Sequence, residues 1–71
     1  MKSVPKLNDV VALLADVPDA RLAPGQVGTV VEVLSPTRLL VEFSDDDGRA
    51  YSIAQVSTTE LLVLHYEQEV A

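Results

Sequence analysis

The stretch from Arg21 to Leu34 constrains the fold of this chain more than any other part of it. A Pro24-Gly25 pair is followed three residues later by Gly28 and then by a run of β-branched and apolar residues. Proline presets φ for the second position of a turn and glycine supplies the positive φ of the third, so the pair predicts a type II turn. Glycine inside a strand usually marks a bulge or a tight bend. The stretch therefore predicts a turn leading into a strongly bent strand, as in small curved β-barrels.

Turn signals recur between short apolar runs along the rest of the chain. They are Pro18-Asp19, Ser35-Pro36 and the acidic segment from Asp45 to Gly48, in which Gly48 supplies a positive φ for a hairpin. The runs between them predict strands at residues 9–15, 27–34, 38–44, 49–56 and 61–65. Ser57 to Glu60 has the character of a capping box and is too short for an α-helix, so it predicts one 3-10 turn.

These elements predict an all-β fold, a small five-stranded SH3-like barrel with a short 3-10 turn before the last strand. One domain over residues 1–71 is expected, with its core at about 7–65 and frayed termini. Residues 16–26 would form the first loop, and Gly28 would be the bend of the second strand. A bent strand faces the core over much of its length, which would explain why Val30, Val31 and Val33 are all apolar.

Composition limits the classes of function. The chain has 71 residues, no cysteine and a formal net charge of −6 at pH 7. Disulfides and thiolate metal sites are therefore excluded, and binding to nucleic acid or anionic membranes is disfavoured because the five bases are isolated from one another. A hydrophobic fraction of 48% in so short a chain favours a homo-oligomer or a bound partner. Neither a signal peptide nor a membrane span is evident, so a cytoplasmic protein is expected.

Four features of the sequence resemble chemical sites, but none favours catalysis, a metal or a cofactor. The acids at 45–47 are consecutive and lack the spacing and the final Glu of an EF-hand loop. The single histidine, His65, has no motif that supplies an orienting acid and a nucleophile. Pro24 to Gly28 lacks the lysine and following helix of a phosphate loop. Phe43, Tyr51 and Tyr66 are too few, without tryptophan, for a proline-rich-peptide groove.

One pattern resembles a known family. It comprises Leu22-x-Pro-Gly25-x-Val27-Gly-Thr-Val-Val31, then Val41-Glu-Phe43, then the acidic turn ending in Gly48, then Glu60-Leu61. Together these are similar to DUF4926, a bacterial family of domains of unknown function, over about residues 7–65. The resemblance implies a compact stand-alone barrel and transfers no catalytic or binding residue. Similar glycine-valine signatures occur in other small SH3-like barrels, including KOW-type domains.

The preferred function is a non-enzymatic protein-interaction module, as a homo-oligomer or as an accessory, immunity or antitoxin-like partner. The contact surface is expected at exposed apolar positions ringed by acids: Leu14, Leu40, Leu62 and Tyr51. Two alternatives remain open. A KOW-like nucleic-acid-binding module rests on fold analogy alone, and the other alternative is a metal-binding protein or enzyme accessory subunit. No small-molecule substrate is indicated.

Overall fold

A computed structural model describes residues 4–45 and 47–65, and within these the fold is all-β. Its strands are β1 (Val10–Leu13), β2 (Val27–Ser35), β3 (Arg38–Ser44), β4 (Ala50–Ser57) and β5 (Leu61–Val63). A first 3-10 turn, Pro18–Ala20, lies between β1 and β2, and a second, Thr58–Glu60, lies between β4 and β5. The predicted five strands and the 3-10 turn before the last strand are confirmed.

The five strands form one antiparallel sheet in the order β4-β3-β2-β1-β5. The sheet is barrel-like but does not close, because β4 and β5 are its two edges. The first loop packs into this arrangement. Leu22 is buried, Val17 and Ala20 pack against the core, and the first 3-10 turn lies against β4. The turn was not anticipated from the sequence, although Pro18 occupies its first position, where proline is favoured.

Alternation along the strands separates the core from an outward face. In β3 the buried residues are Leu39, Val41 and Phe43, as the period-two pattern predicted. The rest of the core comes mainly from the other strands and comprises Val11, Leu13, Leu22, Val30, Ala54, Val56 and Leu61. A side chain on one of these strands therefore faces either this core or the outside of the sheet.

The expectation that β2 faces the core over much of its length is wrong. Val30 is buried, but Val31 and Val33 are among the exposed large hydrophobic side chains. Register shifts between β2 and β3 fall between Val30 and Glu32 and between Val33 and Ser35. A bulge places two residues of one strand opposite one of its partner, which interrupts the alternation of faces. The distal half of β2 is thus irregular, and its apolar residues are not part of the core.

Gly28 is not where β2 becomes irregular, because it pairs with Val11 of β1 on one side and Phe43 of β3 on the other. Its role is close packing. A Cβ added there would lie 2.7 Å from Val41 Cγ1, 2.8 Å from the Glu42 carbonyl oxygen and 2.9 Å from Phe43 Cδ1. Real Cβ atoms essentially never approach neighbours this closely. Glycine is therefore required because β3 occupies the space.

The other two glycines adopt turn conformations. Gly25 has φ 92° and Gly48 has φ 80°, values that L-amino acids with a side chain rarely adopt. At the first turn the Gln26 N–H donates to the Ala23 carbonyl at 3.2 Å, so Pro24 and Gly25 occupy the central positions of the predicted turn. At the β3–β4 hairpin the Gly48 N–H donates to the Asp45 carbonyl at 3.0 Å.

The second 3-10 turn has the capping box that its sequence predicted. The Ser57 side chain accepts from the Thr59 N–H at 3.3 Å, and Glu60 Oε1 accepts from the Ser57 N–H at 3.2 Å. The turn leads the chain directly from β4, one edge of the sheet, into β5, the other edge. The expected fraying at 66–71 and the part of the acidic tip at Asp46 lie outside the described residues.

Candidate functional site

The outward face of the sheet can be read as rows of side chains, because strand register places opposite residues side by side. The first row runs across β5, β1 and β2 as Leu62, Ala12 and Val27. The second runs across β1 to β4 and comprises Val10, Thr29, Glu42 and Ile53. The third runs across β2 to β4 and comprises Glu32, Leu40 and Gln55.

The first row and the end of β1 form an exposed apolar area that we call the β5–β1–β2 patch. It consists of Leu14, Ala12, Val27 and Leu62. Leu14 is 46% exposed, Val27 43% and Leu62 42%. Leu14 lies two residues beyond Ala12 on the same face, and its N–H donates to the Glu60 carbonyl at 2.8 Å. Two of the four positions proposed from the sequence, Leu14 and Leu62, are therefore brought together.

Backbone hydrogen bonds hold the patch in place. The Leu13 N–H donates to the Gln26 carbonyl at 2.9 Å, and the Gly25 N–H donates to the Leu13 carbonyl at 2.7 Å. These bonds join the Pro24-Gly25 turn to the end of β1, so the turn sets the position of Val27 relative to Leu14. The sequence signature at 24–28 therefore supports this surface without contributing a chemical group to it.

Tyr51 lies near the start of β4, and its hydroxyl reaches the residue that precedes Val27 of the patch. It is exposed, and its hydroxyl accepts a hydrogen bond from Gln26 Nε2 at 2.9 Å. Gln26 Oε1 in turn accepts from the Ala23 N–H. Tyr51 thus connects the β3–β4 hairpin to the first turn, and this contact gives it a structural role.

Leu40 is not brought to the patch. It is half-buried in the third row, between Glu32 of β2 and Gln55 of β4. Val27 was not among the residues proposed from the sequence, although it begins the predicted strand at residues 27–34. Its position opposite Ala12 follows only from the β1–β2 register, which links residues that lie far apart in the chain.

Charged residues border the β5–β1–β2 patch, and most of them are acidic. Asp9 precedes Val10, Asp16 lies two residues after Leu14, Glu42 lies in the second row, and Glu60 precedes β5. Lys6 is the nearby base, and its backbone N–H donates to Asp9 Oδ2 at 2.9 Å. The border, defined here as these five residues, therefore carries four acids and one base.

Two further kinds of site, metal-binding clusters and membrane-spanning helices, are absent from the described residues. Residues 4–45 and 47–65 contain no group of three or more His, Cys, Asp or Glu side chains that could hold a metal ion. Asp45 Oδ1 instead accepts from the backbone N–H groups of Asp47 and Arg49, both at 3.0 Å, which fixes the hairpin tip. No helix in this part of the chain is long and apolar enough to cross a membrane.

Comparison with known proteins identifies a family. No curated protein and no solved structure matches the chain. The model of a family described as a domain of unknown function, DUF4926, matches residues 7–63, which include all five strands. Together with the turn and strand motifs above, this match shows that the chain belongs to the DUF4926 family.

Proposed function

We propose that this protein is a non-enzymatic protein-interaction module, and that the β5–β1–β2 patch is its contact surface. The observation that carries the proposal is the contiguity of Leu14, Ala12, Val27 and Leu62 on one outward face. These residues come from three strands that the sheet holds in fixed register. A preformed surface of this kind binds without first having to be ordered, which reduces the cost of association.

The burial available at the patch suits a specific contact of moderate strength. Leu14, Val27 and Leu62 each leave somewhat less than half of their surface exposed to solvent. Covering the exposed part of each side chain would contribute about 1 kcal/mol to binding, because complete burial of such a side chain is worth roughly 1.5–3 kcal/mol. A few such residues commonly dominate the energy of an interface.

The proposal is tested by comparing two leucines of nearly equal exposure. Leu62, in the patch, is 42% exposed, and Leu34, near the end of β2, is 41% exposed. Tagged wild-type protein, Leu62→Asp and Leu34→Asp are incubated with extract of the source cells, and retained proteins are quantified. Circular dichroism melts establish that both variants are folded.

We expect at least one protein, or a second copy of the chain, to be retained by the wild type and by Leu34→Asp but not by Leu62→Asp. Light scattering on the purified protein reports the second-copy case directly. A strictly monomeric wild type with no specifically retained partner would count against the function. Retention that Leu62→Asp and Leu34→Asp reduce equally would count against the patch.

A further inference from the structure

The charges around the β5–β1–β2 patch bear on what it binds. Its border, as defined above, is formed by the acids Asp9, Asp16, Glu42 and Glu60 and the base Lys6. The side chains of two of these acids, Asp16 and Glu42, form no hydrogen bond or ion pair with the described residues. Unpaired charges at the edge of an apolar contact select partners of opposite charge and disfavour partners of the same charge.

We infer that the occupant of the patch is a different protein whose contact segment has an apolar centre flanked by Lys or Arg. This inference rests on the proposed function and specifies its partner. Apolar side chains of the partner would cover Leu14, Val27 and Leu62, and its basic side chains would reach Asp16 and Glu42 from opposite sides of the patch. Arginine and lysine suit such border positions because their stems pack on apolar surface while their charged ends reach the acids.

A second copy of the chain fits this surface less well. A two-fold dimer places the same patch on both sides of the interface, so each acidic border would meet another acidic border. The chain as a whole carries a net charge of −6, which adds repulsion between copies. Three other described bases lie outside the border as defined: Arg38 at the far end of β3, Arg49 at the β3–β4 hairpin, and Arg21 at the end of the first 3-10 turn.

The test uses two synthetic peptides of opposite charge. One has a Leu-Ile-Leu centre with two arginines on each side, and the other has glutamates in place of the arginines. Each is titrated into ¹⁵N-labelled full-length protein at low and physiological ionic strength. The variants are Asp16→Asn/Glu42→Gln, which neutralises two border acids, and Asp47→Asn, which removes one acid at the exposed hairpin tip.

We expect the arginine peptide to shift the amides of Ala12, Leu14, Val27 and Leu62, and the glutamate peptide to leave them unchanged. Neutralising both border acids should weaken binding severalfold and by up to about thirtyfold, since each exposed charge pair accounts for about 1.5- to 5-fold. Asp47→Asn should weaken it less than twofold. Added salt should reduce the difference between wild type and the double variant, because screening weakens exposed charge pairs.

Four outcomes would overturn the inference. Equal weakening by Asp47→Asn would indicate general attraction to an acidic protein, and shifts centred on the hairpin tip would place the peptide elsewhere. A dimer that light scattering detects and that Leu62→Asp dissociates would make a second copy the occupant. In that last case, or if a captured partner depends on Leu62 but not on the border acids, the interaction function stands and only the partner's chemistry is wrong.

Discussion

Replacing Gly28 with alanine should destabilise the protein, although the same change in an ordinary strand is favourable. Alanine normally stabilises relative to glycine by about 0.4–1 kcal/mol, because it restricts the unfolded chain. At Gly28 the new methyl group would lie within 3.0 Å of three atoms, on Val41, Glu42 and Phe43. Val41 and Phe43 are fully buried, and the Glu42 atom is a backbone carbonyl oxygen. None of the three can move aside cheaply.

The size of the effect follows from the required displacement. Carbon atoms pack best at about 3.5–4.0 Å, so each contact must lengthen by about half an ångström or more. Forcing extra volume into a well-packed core costs typically about 1–3 kcal/mol. We therefore expect Gly28→Ala to lower the free energy of unfolding by about 1–3 kcal/mol and Gly28→Val to lower it further.

Urea unfolding followed by circular dichroism measures this directly, with the midpoint falling and the slope unchanged. Gly48 is the matched control, because it has φ 80° and no atom within 4 Å of an added Cβ. A substitution at Gly48 destabilises the protein only because of its positive φ. Gly48→Asn should therefore lower the free energy of unfolding less than Gly48→Ala does, since asparagine tolerates the left-handed region. Gly28→Asn should have no such advantage over Gly28→Ala. A Gly28→Ala variant as stable as the wild type would refute the close-packing argument.

Three further predictions concern the core and the turns. Phe43→Ala should lower the free energy of unfolding by about 3–5 kcal/mol, enough to unfold much of the protein. Ile53→Ala on the outward face should change it by less than about 1 kcal/mol. Thermal melts in which Ile53→Ala were the less stable variant would contradict the assignment of faces. Ser57→Ala should cost about 1 kcal/mol by removing the acceptor for the Thr59 N–H, and a Ser57→Thr variant that behaved like the alanine variant would argue against the cap. Asp45→Ala should cost about 1 kcal/mol while Asp45→Asn costs less, because the amide oxygen still accepts from Asp47 and Arg49; equal losses in urea titrations would show that charge, rather than these hydrogen bonds, is what matters.

Much of the fold was predictable because its determinants are local. The turn at Pro24-Gly25, the positive φ at Gly48 and the capping box at Ser57 and Glu60 each depend on a few neighbouring residues. Strand β3 was predicted with its exact bounds, since its alternation is regular from Arg38 to Ser44. Elements with short-range signals of this kind can be read from one sequence.

The distal half of β2 and the role of Gly28 were not predictable for the opposite reason. The bulge after Val30 depends on how β2 registers with β3, and the crowding at Gly28 depends on Val41 and Phe43 across the sheet. The candidate site follows the same rule. Leu14 and Leu62 could be proposed from the sequence as exposed apolar residues. Their position around Ala12, together with Val27, follows only from the pairing of β5, β1 and β2.

The central claim, that the β5–β1–β2 patch is a contact surface, is tested most directly by photo-crosslinking inside the source cells. Benzoylphenylalanine replaces Leu62 in one protein and Leu34 in another, two leucines of nearly equal exposure in different parts of the fold. Irradiation should produce a discrete crosslinked species from position 62 and none from position 34. Crosslinking from position 34 alone, or equally from both positions, would contradict the claim.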